Sequence, residues 1–335
     1  MAETPLTMLA DFPHDLIARL ARLGITTAEQ LAFVTTPPHR AYLLEALEID
    51  EARLAAAVPT IAAYRSLNEA RGDDVPRSLG VLDLTPEVKR TLLNEAAPPS
   101  FAAVALPASV NHVPALQPIR PSQGDRGTCV AFAMSAVHEF HVRAQGGVDL
   151  SEQFLYHETK LIDGSPKDCG TWQVKAAQVI GTLGQCLEAD WAYNPALPCN
   201  DNGVEPANAR VKAGFRKATP LILNAQDVVG AKRCLSEGKL VGVSIPVWDS
   251  WYRSGSPTGR TGVITMRLGN EPRIGGHAIC MVGYEDDTAQ PGGGVFIIRN
   301  SWGRGWATQC RFGAGYGTLP YAYVATDAQE LITLN

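Results

Sequence analysis

Three runs in the C-terminal third, VGVSIPV at 241–247, HAICMVGY at 277–284 and GVFIIRN at 294–300, limit what this chain can fold into. Each is apolar, rich in β-branched residues and bounded by Gly or Asp, so each reads as a buried strand. Ahead of them, Val130–Ala144 is helical by pattern, starting at or just before Cys129. From about Leu106 onward glycine is frequent, tryptophan and cysteine appear, and strand-like runs alternate with loops. Helix and strand therefore share one unit from residue 106 to the end.

The first hundred residues have a different texture. Leu16, Ile17, Leu20 and Leu23, then Leu31, Leu43, Leu44 and Leu47, recur at helical spacing, which predicts four or five short helices over residues 1–66. Thr35-Thr36-Pro37-Pro38 separates two of them, and Thr26-Thr27 before Ala28-Glu29-Gln30 is a helix cap with an acidic first turn. Residues 67–105, with RGDDVPRS and AAPPSFAAVALP, read as a partly ordered linker holding one helix near Pro86–Glu95.

At 335 residues with 45% apolar and 19% charged side chains, wholesale disorder is excluded. The formal charge is −5, and residues 1–100 carry all of it, with 9 basic and 14 acidic side chains. Such a balance argues against a nucleic-acid surface. The N-terminus lacks a basic region, and Asp11, His14 and Asp15 interrupt any apolar core, so no secretory signal is expected. No stretch approaches the length of a membrane span, and the expected compartment is the cytoplasm. Seven cysteines leave at least one unpaired and form no CxxC motif, so no structural metal and no cofactor are expected.

The stretch SQGDRGTCVAF at 122–132 is how a chain would present a nucleophile. At the start of a helix, Cys129 meets unsatisfied N–H groups and the positive end of the dipole, which favour a thiolate. Gly124 and Gly127 allow a bare loop close to a substrate backbone. Gln123 offers a neutral amide donor to an oxyanion beside the sulfur. A buried core cysteine at a loop–helix junction is the plain alternative for this stretch alone. A thiolate nucleophile also needs a base and the base an orienting partner. His277 follows Arg273-Ile274-Gly275-Gly276 at a strand start with slim neighbours, and Asn300 ends an apolar strand beside Trp302.

Together the segments SQGDRGTCVAF, GGHAICMVGYED and IIRNSWGRGW resemble the papain-like cysteine peptidases in content, order and spacing. LSEQ at 150–153, LPASVNHVP at 106–114 and GYGTLPYAYV at 315–324 resemble, respectively, the stretch after the active-site helix, the mature start and the final strands of bacterial members. The resemblance covers roughly residues 106–326 and implies an α+β, two-lobed fold, a helical lobe and a β-barrel lobe with the cleft between them. Residues 106–335 would be this unit, preceded by the small all-α domain at 1–66 and the linker at 67–105.

Carried over residue by residue, the resemblance implies Cys129 as nucleophile, His277 as base and acid, Asn300 as its orienting partner and Gln123 as oxyanion donor. Trp302 would cover the His–Asn bond, and Gly170 and Thr171 would pair with an extended substrate. Ala278 would line the main specificity pocket, and Gly276, where the family commonly has Asp or Asn, would shift the pH profile slightly. The substrate would be a protein or peptide; a peptide-binding adaptor and an acyl-transferase using the same site are the alternatives. Two positions depart from the family: Arg126 stands where cysteine is frequent, and Val130 where Trp is. Cys169 is thereby left without its customary partner, which fits a reducing compartment, while Cys186 and Cys199 are spaced for a local pair.

The inhibitory helix typical of papain-like zymogens is not found in residues 1–100. RLGITTAEQLAFV resembles helix-hairpin-helix-like modules instead, without their second glycine. Residues 1–100 are therefore expected to bind a protein partner or to restrain the cleft from within the chain.

Overall fold

The computed structural model describes residues 3–70, 77–96 and 105–335. Parts of the expected linker, 71–76 and 97–104, lie outside the described residues.

The N-terminal helices are α1 (His14–Ala21), α2 (Ala28–Val34), α3 (His39–Leu47) and α4 (Glu51–Ala70). Thr27 and Gln30 form a complete capping box at the start of α2, which satisfies donors a helix N-terminus otherwise leaves open. Leu16, Leu20, Leu31, Leu43, Leu47 and Leu54 form a core of their own, to which the later unit contributes Leu268. Polar contacts also join the two units: His39 Nε2 lies 3.0 Å from Asp249, and Arg260 reaches Glu3 at 3.1 Å and Asn68 at 3.2 Å. After the undescribed stretch the chain runs extended from 77 to 85 and then forms α5 (Pro86–Glu95), capped by Thr85.

The larger unit has a helical side of α6 (Cys129–His141), α7 (Glu152–Ile162) and α8 (Gln173–Thr182). Its sheet is antiparallel and seven-stranded, from β1 (Ser109–Asn111), β2 (Pro220–Leu223), β3 (Val241–Trp248), β4 (Arg273–Asp286), β5 (Gly294–Arg299), β6 (Tyr316–Pro320) and β7 (Glu330–Leu334). The order is β2-β7-β3-β4-β5-β6, with β1 paired to β4. The three runs read as buried strands are the central β3, β4 and β5, and β3 and β5 are buried along their whole length. Helix α6 is buried from Cys129 to Phe140 and packs on β4, so the start of the helix meets the middle of the sheet.

The C-terminal reading needs correction. Residues 315–324 are not a pair of final strands: Tyr316–Pro320 is β6, but Tyr321–Asp327 is helical, and the last strand is β7. Its Glu330 is fully buried and interrupts the apolar pattern. Its carboxylate accepts from the backbone N–H of Gln173 (3.1 Å) and Val174 (2.9 Å), at the start of α8, and from the Ser244 hydroxyl (2.7 Å). Among the described residues no helix is long and apolar enough to cross a membrane.

Candidate active site

Gly124 turns the loop before α6 with φ +67°, and Cys129 is the first residue of the helix. Thr128, the residue before it, does not cap the helix with its side chain. Its hydroxyl instead lies 2.7 Å from the Tyr193 hydroxyl. The Cys129 sulfur, fully buried, accepts from the backbone N–H of Ala278 at 3.4 Å, so β4 delivers the His277–Ala278 peptide to the sulfur.

The hydrogen bonds of Asn300 fix the proton on His277. Asn300 Oδ1 accepts from the Ser301 backbone N–H at 2.8 Å, a group that can only donate. The same oxygen lies 2.8 Å from His277 Nε2, so Nε2 must carry a proton, and in the neutral ring the lone pair is on Nδ1. Nδ1 is buried with no hydrogen-bond partner among the described residues. Trp302 stacks on the His277 ring, centroids 4.5 Å apart and planes 18° from parallel, shielding the His277–Asn300 bond from water.

Gln123 is oriented by the same reasoning. Its Oε1 accepts from the Ser301 hydroxyl at 2.5 Å, which turns its amide NH₂ toward the cleft. That NH₂ donates to the Arg126 carbonyl at 2.6 Å and to the Ser78 carbonyl at 3.3 Å.

Ser78 belongs to a stretch that lies across this site from wall to wall. On the helical side, Thr171 N–H donates to the Gly80 carbonyl (2.9 Å) and Leu82 N–H donates to the Thr171 carbonyl (3.3 Å), a parallel bridge centred on Val81 and Thr171. On the sheet side, the Gly276 carbonyl accepts from Gly80 N–H (3.1 Å) and Val81 N–H (3.0 Å), and Trp302 Nε1 donates to the Ser78 carbonyl (3.3 Å). Glycines line the passage: a Cβ on Gly170, on Gly275 or on Gly276 would lie within 3 Å of atoms of Gly80, Leu79 or Val81 respectively. Four of the expected substrate-contacting residues, Thr171, Gly276, Trp302 and Gly170, thus border this stretch, and the fifth, Ala278, faces the sulfur. Residues 78–82 carried no signal that predicts a place in the cleft. SLGVL reads as a short apolar run in a polar linker, and only Gly80, among residues able to form a strand, hints at a close backbone approach.

Burial governs the electrostatics. Burial pushes the Cys129 thiol up to about 12, opposed by the N–H groups of Ala278, Val130, Gly80 and Cys129 itself. Burial also pulls His277 down to about 4, opposed by its bond to Asn300. Helix-start N–H groups thus favour the thiolate, as the sequence predicts, but exclusion of water outweighs them here.

The cysteine expectations are overturned. Cys169 is paired, in a disulfide with Cys199, and Cys186 is free and buried. Spacing favoured Cys186 for Cys199, but the fold brings the 199 loop against the segment before Gly170, so the partner is chosen by proximity in space. The one candidate metal cluster, among the described residues, is His157, Glu158 and Glu205. Glu158 already holds Arg210 in a two-pronged ion pair (2.8 and 2.9 Å) and is poorly placed to serve a cation.

Comparison with known proteins gives the family and the fold. The profile of the family described as papain family cysteine protease matches residues 107–318. An uncharacterized peptidase C1-like protein of Acanthamoeba polyphaga mimivirus is 28% identical over 217 residues, 61% of this chain and 65% of the viral protein. Cysteine proteinase 3 of Entamoeba histolytica is 28% identical over 245 residues, covering 71% of this chain and 69% of that protein. Among solved structures, xylellain, a cysteine protease from Xylella fastidiosa, aligns with TM-score 0.61 at 24% identity, covering 78% of this chain and 97% of xylellain. Digestive procathepsin L 3 of Tenebrio molitor aligns with TM-score 0.55 at 18% identity over 91% of this chain and 96% of its own. At these identities the structural matches speak to the fold.

Proposed function

Since the chain belongs to the papain family of cysteine proteases, we propose that it is an endopeptidase acting through a Cys129 acyl-enzyme, and that residues 78–81 hold it in check. The observation that carries the catalytic part is the tautomer of His277: with Nε2–H committed to Asn300, the lone pair on Nδ1 is the base.

Nδ1 takes the Cys129 thiol proton, and the sulfur attacks the carbonyl carbon of the scissile peptide, forming the C–S bond. The carbonyl π pair moves to oxygen, where the Gln123 amide and the Cys129 backbone N–H donate to it. Collapse expels the amine, which takes its proton from the His277 imidazolium. Water, deprotonated by Nδ1, then attacks the thioester, releasing the acid and returning the proton to sulfur. Trp302 and Asn300 hold the imidazole in register through both half-reactions, while Thr171 and Gly276 offer the backbone groups that an extended peptide would pair with.

Restraint from within the chain rests on two features of residues 78–81. The Ser78 carbonyl takes the Gln123 donor that an oxyanion would need. The Gly80 backbone is spent on the two walls, its N–H on the Gly276 carbonyl and its carbonyl on the Thr171 N–H, so it takes the groups an extended substrate would pair with. Just before the stretch, the Arg77 guanidinium donates to the Tyr252 carbonyl and the Arg77 carbonyl accepts from the Tyr252 hydroxyl.

Cys129→Ala is expected to abolish hydrolysis of an unstructured protein substrate with its circular dichroism spectrum unchanged. Full activity in that variant would overturn the assignment. Asn300→Ala, which frees the imidazole to rotate, is expected to lower kcat by about tenfold to a hundredfold.

A further inference from the structure

Resting on the peptidase reading, we propose that Arg126 is a positioning residue for the oxyanion donor, replacing the covalent tie that a cysteine at this position gives related enzymes. Arg126 is 1% exposed, yet among the described residues it has no carboxylate partner. Its guanidinium donates only to neutral acceptors: Gln153 Oε1 (2.8 Å), the Asn194 carbonyl (2.9 Å) and the Asp201 carbonyl (3.1 Å). It lies near the rings of Tyr156 and Tyr193, at 5.4 and 5.1 Å from their centroids. A buried cation without an acid is costly, and a well-packed apolar side chain would fill this space without that cost.

What the cation holds explains its presence. The carbonyl of Arg126 itself accepts from the Gln123 amide at 2.6 Å. The Tyr193 hydroxyl donates to the Gln123 carbonyl at 2.8 Å and meets the Thr128 hydroxyl at 2.7 Å. Backbone and side chain of Gln123, and the residue just before Cys129, are therefore all tied to Arg126 or to Tyr193 beside it. The far ends of the clamp, Asn194 and Asp201, flank Cys199, whose disulfide to Cys169 secures Gly170 and Thr171. One loop, 194–201, thus anchors both the nucleophile loop and the substrate-pairing segment, the first by a cation and the second by a covalent bond. A planar five-donor fork spreads its donors over separated acceptors while its face lies on the rings; an ammonium has three donors but no plane to stack.

The test compares Arg126→Met and Arg126→Lys in the full chain by amide hydrogen exchange, and, in a Gly80→Ala background that opens the cleft, by steady-state cleavage of a peptide substrate. Exchange over 122–129 is expected to quicken at least tenfold in both variants, with the β3 and β5 amides unchanged. kcat is expected to fall at least tenfold with KM within twofold, because a misplaced oxyanion donor is felt in the transition state. Unchanged exchange and kcat, a quickening spread evenly over β3 and β5, or full rescue by Lys would each overturn the proposal. If Arg126→Met does not accumulate as folded protein, Gln153→Leu, which removes one acceptor, takes its place in the same comparison. A Gly80→Ala parent that cleaves no peptide would count against the peptidase reading, and the exchange result would still decide on Arg126.

Discussion

A methyl group added to Gly80 would stand 2.1 Å from the Gly127 carbonyl oxygen and 2.4 Å from its carbon, backbone atoms of the loop that carries Cys129. No rotamer relieves such a contact, so Gly80→Ala forces the covering stretch and the Cys129 loop apart. Water then returns to the site, and the N–H groups that favour the thiolate regain their weight. In the wild-type chain, alkylation of Cys129 is expected to stay slow until pH approaches the raised thiol value of about 12. In Gly80→Ala the alkylation–pH profile is expected to shift to lower pH, read from rates across a pH series. At this scale the residues proposed to react could be picked out of the sequence, because Cys129, Gln123, His277 and Asn300 sit in short stretches whose local chemistry is distinctive. The covering residues could not, because Ser78 and Gly80 act through backbone groups that any sequence possesses.

At the scale of elements, β3, β4 and β5 were legible because their burial leaves an unbroken apolar run. β2 is only four residues long, and β7 carries a buried glutamate at its start, so neither shows that signature. Glu330 has a measurable consequence. Burial raises the Glu330 pKa above the ordinary glutamate value, even against its hydrogen bonds from Ser244, Val174 and Gln173. The folded protein then binds a proton at pH values where the unfolded chain has lost it. Stability contributed by this site therefore falls as pH rises above the ordinary glutamate range. Glu330→Gln is expected to flatten that dependence, seen in urea midpoints measured across pH 4 to 8. The helical N-terminal unit makes a second prediction. Leu268→Ala removes a fully buried side chain shared with its core and is expected to cost about 2–5 kcal/mol locally. That loosening is expected to speed labelling of Cys129 in the full chain.

For the whole molecule, the α+β fold and the all-α segment before it followed from texture and resemblance, whereas the relation between them did not. Periodicity reports which face of a helix is buried, not which neighbour buries it, so the contacts of Leu268, Asp249 and Arg260 with the N-terminal helices had no sequence signal. The Cys169–Cys199 disulfide also removes the support that an unpaired Cys169 lent to a reducing compartment. The net acidity of residues 1–100 fits a unit that turns its charge to water and its leucines inward. The central claim is that Cys129 is the nucleophile and that the chain itself covers it. It is tested most directly by treating full-length wild type, Gly80→Ala and Gly80→Ala/Cys129→Ala with an epoxide inhibitor of papain-like peptidases, read by intact mass and peptide mapping. Labelling of the wild type is expected to be slow, with at least tenfold faster formation of one adduct at Cys129 in Gly80→Ala and none in the double variant. Equal rates in wild type and Gly80→Ala, or an adduct that survives loss of Cys129, would contradict that claim.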